Sequence, residues 1–291
     1  MIHLELTWQQ SAVAAGGVAV TSAALRLPRR PRLTSVAVFA QEAALALGLF
    51  ALWQYAASFA VLGPGGALGR SRWIWRLERA IHLPSEAAVQ HFFLPHPLLI
   101  QFFNLYYDTL HFPVLIGCLV WLFVRHRSSY GRWRTTLVAF TGICLLVQLI
   151  PVAPPRMLPG IGMVDTAVLY HQSVYSNVAG FNADQLSAMP SVHVGWALLV
   201  AAAVISNEKS GWRWLAVLYP AMTTLAVVVT ANHFWADGIV AALILGVVMA
   251  VQALARRILA ACRAAALPAA ADAPAADAPA AADGVMAAHR L

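Results

Sequence analysis

The chain has 291 residues, of which 60% are hydrophobic and only 11% are charged. This composition is far from that of an ordinary soluble domain, so most of the chain is expected to lie in lipid. The net charge of +7 arises from basic residues in short clusters between apolar runs, where they act as topology signals. These clusters therefore exclude nucleic-acid binding as the reason for the positive charge.

The predicted elements begin with an N-terminal segment, 1–34, whose stretch 11–25 is rich in Ala and Gly. This stretch is compatible with a seventh span and equally with an interfacial helix. A six-span membrane domain, 35–260, follows, because apolar stretches long enough to cross a bilayer recur along it. They lie at 35–61, 98–124, 135–152, 190–205, 214–230 and 234–254. The sequence therefore predicts an all-α, polytopic membrane helix bundle with a six-span core.

Basic residues orient these spans in the membrane. If the arginines at 26–32 are cytoplasmic, six spans place the later clusters at 125–134, 209–213 and 256–263 on the same side. The exception is the segment 70–79, whose four arginines interleave with tryptophans and which this topology places outside. That pattern favours an amphipathic helix in the interface, in contact with anionic headgroups.

Two segments outside the spans differ in character. The segment 157–186 is long for a connection in a compact domain, which favours a lid or a substrate-binding role. Within it, Tyr170, His171, Tyr175 and Asn177 are candidates for contacts with a headgroup. The tail, 267–291, is low-complexity Ala, Pro and Asp and is predicted to be disordered. No feature of the sequence indicates an oligomeric state.

Polar residues gather in the half of the bundle that the topology places outside. Each ionisable group inside a span costs on the order of a few kcal/mol, so each is a functional candidate. They come from five distant stretches, which helical hairpins bring to one membrane level. The residues are Asn104, Asp108, His111, Arg156, Ser187, Ser191, His193, Asn232, His233 and Asp237.

His233 and Asp237 are four residues apart and are therefore neighbours on one helix face. A carboxylate on one ring nitrogen fixes the tautomer and leaves the other nitrogen available as a base or nucleophile. Because His233 is expected to open a helix, the amide groups there also favour a nearby anion. On these two residues alone, a structural role is an equally good interpretation: His233 starts the helix, and Asp237 serves only as its hydrogen-bond partner.

The segment 187–193 and Arg156 add the remaining parts of a phosphate site. Ser191, after Pro190, is typical of a helix start, where its hydroxyl either caps the helix or binds an oxyanion. His193 is two residues further and does not face Ser191, which favours proton donation by His193. Arg156 follows a helix-breaking double proline and offers a planar fork for phosphate oxygens.

Each of these residues alone is also compatible with a structural role, as a cap, a core histidine or an interfacial arginine. Together they are the parts needed for in-line phosphoryl transfer through a phosphohistidine, with one histidine attacking phosphorus and the other protonating the leaving oxygen.

At these residues the sequence resembles the type 2 phosphatidic acid phosphatase superfamily, over roughly 148–238. Residues 190–193, Pro-Ser-Val-His, stand where the family has Pro-Ser-x-His. Residues 232–237 stand at its third motif, where an Asp follows the His by four positions. The resemblance implies an all-helical core of six spans that needs no metal and no cofactor.

The resemblance also implies a role for each matching residue. His233 is the nucleophile, Asp237 orients it, and His193 is the general acid that later activates the acceptor. Ser191 and Arg156 hold phosphate. Ser187 and Asn232, beside these motifs, are further substrate-binding candidates.

Two cations of the common family pattern are missing here. The Lys seven residues before the family's Arg is replaced by Leu149, and the Arg six residues before its His is replaced by Val227. With the Ala-Pro-Pro element at 153–155, these changes resemble the inositol phosphorylceramide synthase branch. That branch implies transfer of a phosphorylated headgroup, such as inositol phosphate, from a phospholipid to an alcohol. The alternative is a phosphatase acting on lipid phosphate or prenyl diphosphate. The topology set by the basic residues places the active site at the extracytoplasmic face, and we expect an integral protein of the plasma (inner) membrane.

Asn104, Asp108 and His111 fall at i, i+4 and i+7, a single stripe expected to face the bundle interior. They are candidates for binding the acceptor or headgroup, and equally for a structural polar network between helices. Two other classes of function stay open. One is a metalloenzyme that uses His111, Asp108 and the motif residues as ligands. The other is a non-catalytic membrane protein that keeps the fold.

Overall fold

The computed structural model describes residues 7–27, 30–57, 66–172 and 186–266, and these are almost entirely helical, without a strand among them. The predicted all-α membrane helix bundle is therefore confirmed. Tyr175, Asn177 and the tail 267–291 lie outside the described residues. The α-helices within the described ranges are α1 (Trp8–Arg26), α2 (Pro31–Ala57), α3 (Ala67–Ala80), α4 (Glu86–Phe93), α5 (Pro97–Thr109), α6 (His111–Arg125), α7 (Arg127–Gln148), α8 (Thr166–Leu169), α9 (Val192–Asn207), α10 (Leu218–Val229) and α11 (Trp235–Ala266).

Helices α1 and α2 form an antiparallel pair that contains the Ala- and Gly-rich stretch 11–25. Thr7 and Gln10 cap the start of α1 reciprocally. The Ser22 hydroxyl donates to the Ala37 carbonyl at 2.6 Å, and the Trp8 and Tyr55 rings lie 4.9 Å apart. The stretch is thus one helix packed along α2, while its position as a span or at the interface stays a prediction.

Length and composition qualify two helical stretches among the described residues as membrane spans, Gly211–Val229 and Trp235–Ala264. The pair α5 and α6 adds a third if it is counted as one bent span. Shorter apolar helices, Val36–Gly48 and Val192–Asn207, overlap two further predicted spans, 35–61 and 190–205. The count of six spans accordingly stays a prediction.

The stretch 98–124, predicted as one span, is two helices that meet at Leu110 with a bend of 49°. Pro113 explains the break, because it has no N–H to donate to the Thr109 carbonyl and its ring crowds that carbonyl. The predicted stripe is therefore not continuous. Asn104 and Asp108 lie on α5, whereas His111 is the first residue of α6.

The largest cluster of buried apolar residues lies between α6, α7, α9 and α11. It includes Leu122, Trp133, Phe140, Leu199 and Leu245. Residues up to Met249 form one compact unit, and the chain from Ala250 forms a second unit, which is helical to Ala266. All of the predicted site residues belong to the first unit.

Candidate active site

His233 lies in the short connection between α10 and α11, where the chain turns sharply. Ala231 has a φ of 55°, and the amides of Asn232 and His233 both donate to the Val227 carbonyl, at 3.0 and 3.2 Å. This turn buries the His233 side chain, which is 5% exposed. Helix α11 begins at Trp235, so His233 precedes the helix that it was predicted to open.

The predicted contact between His233 and Asp237 is nevertheless present. Nδ1 of His233 lies 3.2 Å from Oδ2 of the fully buried Asp237 and 2.7 Å from the Ala188 carbonyl oxygen. Both neighbours are hydrogen-bond acceptors, so Nδ1 carries the proton and Nε2 has its lone pair. Oδ2 also accepts from the Phe234 amide at 2.9 Å, which holds the carboxylate at the helix start. The geometry thus leaves the lone pair of the His233 Nε2 available for reaction.

The Ala188 carbonyl is held in place by an isolated parallel bridge between Val152 and Ser187. The Ala188 amide donates to the Val152 carbonyl at 3.1 Å. The Gln148 side-chain amide lies within 3.4 Å of the carbonyls of Ser187 and Pro190. Gln148, at the end of α7, therefore holds the backbone segment that carries the Ala188 carbonyl, and Ser187 takes part in this contact through its backbone.

Ser191 caps α9, and its hydroxyl accepts from the Val194 amide at 3.4 Å. Its own amide donates to the Asp237 carbonyl at 3.1 Å, which ties the start of α9 to the start of α11. His193, the second residue of α9, consequently faces His233, with 6.0 Å between the ring centroids. The two predicted catalytic histidines therefore share one site.

Arg156 lies beside the same turn. Its amide donates to the Ala231 carbonyl at 3.0 Å, and its Nη1 donates to the Asn232 side-chain oxygen. Its Nε lies 3.3 Å from Oδ2 of Asp165, and the Arg156 side chain is 3% exposed. The guanidinium is thus held next to the residue that precedes His233, and its geometry is one that can bind phosphate oxygens. Asn232 orients the arginine here.

The stripe residues have different surroundings. Asn104 bonds to the hydroxyl and the carbonyl of Thr166 and to the Gln172 side chain, which connects α5 with α8. Asp108 is half-buried on α5. His111 is buried, and its ring centroid lies 4.7 Å from that of His193. The structure thus brings His111 to the histidine pair, while Asn104 belongs to a network that connects two helices.

Three carboxylates that the sequence did not single out lie next to these residues. Asp165 pairs with Arg156 and caps α8. Glu78 accepts from the Ala236 amide at 2.7 Å, and Glu86 pairs with Arg79 at 3.0 Å. The buried face of α3 includes Ser71, Ile74 and Glu78. Their helical spacing was a usable signal in the sequence that Glu78 is buried. For Asp165 the sequence carries no comparable signal.

The described residues contain no group of three His, Cys, Asp or Glu side chains arranged to hold a metal ion. The described site residues bring together a nucleophilic nitrogen on His233, a second histidine opposite it and the positioned guanidinium of Arg156. These groups suit attack on a phosphorus atom, with proton transfer to the leaving oxygen.

Residues 72–251 match the family model described as PAP2 superfamily, which covers more than half of the chain. Comparison with curated proteins and with solved structures gave no match.

Proposed function

Because the chain belongs to the PAP2 superfamily, we propose that it is a phosphotransferase that acts on lipid-linked phosphate through a phosphohistidine on His233. Membership of the superfamily indicates phosphatase or phosphotransferase activity on lipid phosphates. The observation that carries the proposal is the environment of His233. Its Nδ1 faces two acceptors, Asp237 and the Ala188 carbonyl, and its ring faces His193.

In the first step of this mechanism, Nε2 of His233 attacks phosphorus in line with the leaving oxygen. The P–N bond forms while the P–O bond breaks, and His193 gives its proton to the leaving oxygen. Asp237 stabilises the positive charge that the His233 ring acquires. Arg156 binds the equatorial phosphate oxygens, with Ser191 as a second contact.

In the second step, His193 removes the proton from the acceptor hydroxyl, whose oxygen attacks phosphorus and breaks the P–N bond. An alcohol acceptor gives a new phosphodiester, whereas water gives hydrolysis. The protein is restored with the proton again on His193.

The absence of two family cations supports transfer of a phosphorylated headgroup over release of phosphate. Val227, which replaces an arginine, is 1% exposed and packs with Val194 and Val228. Leu149 replaces the lysine at the end of α7. A phosphomonoester carries a charge of about −1.5 to −2 at neutral pH, whereas a phosphodiester carries one negative charge. A pocket with fewer cations therefore suits a phosphodiester lipid with a headgroup such as inositol phosphate.

His111, at the start of α6, is our candidate for contact with the acceptor hydroxyl, and Asp108 and Asn104 on α5 are further candidates. His111 is 2% exposed, and within the described part of the chain its Nε2 has no hydrogen-bond partner. Its Nδ1 lies 3.4 Å from the Tyr219 hydroxyl. A buried nitrogen beside His193 suits a hydroxyl ligand, because an unsatisfied polar group is costly in such surroundings.

The proposal is tested with purified protein and vesicles that contain phosphatidylinositol, phosphatidate or a prenyl diphosphate, each labelled with ³²P, with and without an alcohol acceptor. We expect a new labelled lipid from phosphatidylinositol and acid-labile label on the wild-type protein. His233→Ala should abolish both, whereas His126→Ala, at the junction of α6 and α7, should retain both.

Release of free phosphate from phosphatidate or prenyl diphosphate, with no new lipid under any condition, would establish the phosphatase alternative. Unchanged turnover in His233→Ala would refute the phosphohistidine mechanism altogether.

A further inference from the structure

Helices α3 and α4 contribute two buried carboxyl groups beneath the first turn of α11. Glu78 is fully buried and Glu86 is 2% exposed. Oε1 of Glu78 accepts from the Ala236 amide at 2.7 Å. Ala236 precedes Asp237, so this bond lies one residue from the carboxylate that orients His233. The amide belongs to the helix start, where amides lack partners within the helix.

Glu86 is a neighbouring carboxyl group of Glu78, and Oε2 of Glu78 and Oε1 of Glu86 are buried with no hydrogen-bond partner among the described residues. A proton on one of the two carboxyl groups lets these oxygens bond to each other. Two neighbouring buried carboxyl groups share a proton, because both cannot be ionised together at low cost. Burial, followed by the hydrogen bond with Glu86, raises the pKa of Glu78 to about 9. Three charged groups surround it: Arg79, which pairs with Glu86 at 3.0 Å, Glu86 itself, and Asp237 on α11. At neutral pH the proton is therefore on Glu78.

A protonated Glu78 makes two bonds with one carboxyl group. Its carbonyl oxygen accepts from the Ala236 amide, and its hydroxyl donates to Glu86. The segment between α3 and α4 adds another contact with the same helix turn, since the Trp235 indole N–H donates to the Pro84 carbonyl at 2.9 Å. Glu78 on α3 and Pro84 between α3 and α4 therefore hold Ala236 and Trp235, two consecutive residues between His233 and Asp237.

We propose that Glu78, in its neutral form and bonded to Glu86, is a positioning residue for the reaction, since it holds the start of α11 so that Asp237 meets His233. The inference rests on the proposed function of His233. An ionised Glu78 would place a second negative charge against Glu86 and near Asp237. Repulsion would then displace the helix turn that sets the His233–Asp237 contact.

The direction of the pH dependence follows from the raised pKa. A carboxyl group whose pKa is raised on folding stabilises the folded protein, and this contribution is at its full value at pH below the ordinary pKa of the group. This stability is lost as pH rises through the raised value, about 9. Activity that needs the neutral form should decline over the same alkaline limb.

The test compares Glu78→Gln, Glu78→Ala and Glu86→Gln in the full chain, with Glu208→Gln as the matched control. Glutamine reproduces both bonds of the neutral carboxyl group and cannot ionise. We expect Glu78→Gln to keep kcat within about threefold at neutral pH and to lose the alkaline decline. Glu78→Ala should lower kcat about tenfold or more, with KM little changed, because Asp237 is no longer positioned.

Glu86→Gln gives a second measurement that does not depend on substituting Glu78. It removes the neighbouring charge and can donate to an ionised Glu78, so the alkaline limb should move to lower pH. Glu208→Gln, with a side chain 43% exposed and paired with His126, should keep the wild-type profile. Thermal unfolding of each variant against pH supplies a readout that needs no turnover.

An alkaline limb that persists unchanged in both Glu78→Gln and Glu86→Gln would overturn the proposal. So would equal kcat in Glu78→Ala and wild type. Neither result contradicts the phosphohistidine mechanism. That mechanism is tested separately, and turnover that survives in His233→Ala would contradict it.

Discussion

The reactivity of the site is decided at the scale of single residues by which hydrogen-bond partners surround each polar atom. Nδ1 of His233 faces two acceptors and therefore carries the ring proton. The lone pair that is available for reaction is consequently on Nε2. Arg156 is held in the same way, by Asn232 and Asp165. A positioned guanidinium loses less side-chain entropy when phosphate binds.

Asp165→Asn tests whether the orientation of Arg156 matters for binding. Asparagine caps a helix as well as aspartate does, so α8 should be retained while the charge beside Arg156 is lost. We expect KM for the labelled lipid to rise about tenfold with kcat changed much less. This is the result for a contact that stabilises the bound substrate and the transition state equally. Steady-state kinetics measures this, and an unchanged KM would show that Asp165 does not position the arginine. Glu42→Gln, which alters a partly buried ion pair with Arg134, is the control.

Sequence reasoning at this scale succeeded where partners are close along the chain. His233 and Asp237 are four residues apart, and a helix start brings them together. Glu78 and Ala236 are 158 residues apart, and no local pattern relates a carboxylate on α3 to an amide on α11. Asn104 was predicted either as a substrate ligand or as part of a polar network between helices, and it bonds to Thr166, a partner that periodicity alone does not indicate.

At the scale of helices, close packing of α7 against α9 positions His193. Gly195 follows His193 by two residues, and a Cβ atom there would lie 1.9 Å from Cζ of Phe140, a ring that is fully buried. No real contact is that short, so only glycine allows α9 to approach α7 at this point.

Gly195→Ala should therefore destabilise the protein by about 1–3 kcal/mol through overpacking. Thermal unfolding in detergent measures the effect. Gly246→Ala is the matched control, since a Cβ atom there meets nothing within 4 Å and alanine favours a helix. The double variant Gly195→Ala with Phe140→Leu should recover most of the loss. Additive losses in the double variant would contradict a direct clash between these two residues.

At the scale of the whole bundle, the site and the basic residues at 127–134 and 209 lie at opposite ends of α7 and α9. The site uses the end of α7 and the start of α9, while Arg127, Arg132 and Arg134 are near the start of α7 and Lys209 follows α9. A helix of 16 residues, such as α9, is about 24 Å long. The positive-inside rule therefore supports the prediction that the site opens to the extracytoplasmic face of the membrane.

Cysteine labelling on intact cells tests this orientation. In a Cys262→Ser background, Val168→Cys places a thiol on α8 beside the site, and Lys209→Cys places one past the end of α9. A membrane-impermeant maleimide should label Val168→Cys directly and Lys209→Cys only after permeabilisation. The reverse pattern would put the site on the cytoplasmic face, and the buried Cys118 and Cys144 should stay unlabelled throughout.

The sequence by itself determined the properties that depend on composition and on short spacings. These are the helical membrane bundle, the resemblance to the family, and the motif residues Arg156, His193, His233 and Asp237. Apolar content decides whether a chain prefers lipid, and helix geometry decides which neighbours meet four residues apart.

Only the tertiary structure decided how these motifs are held. It revealed the bend at Leu110, the join of α9 to α11 through Ser191, and the carboxylates Asp165, Glu78 and Glu86 beside the site. Each of these depends on contacts between segments far apart in the chain. Their energies come from burial and from hydrogen bonds whose partners local sequence does not specify.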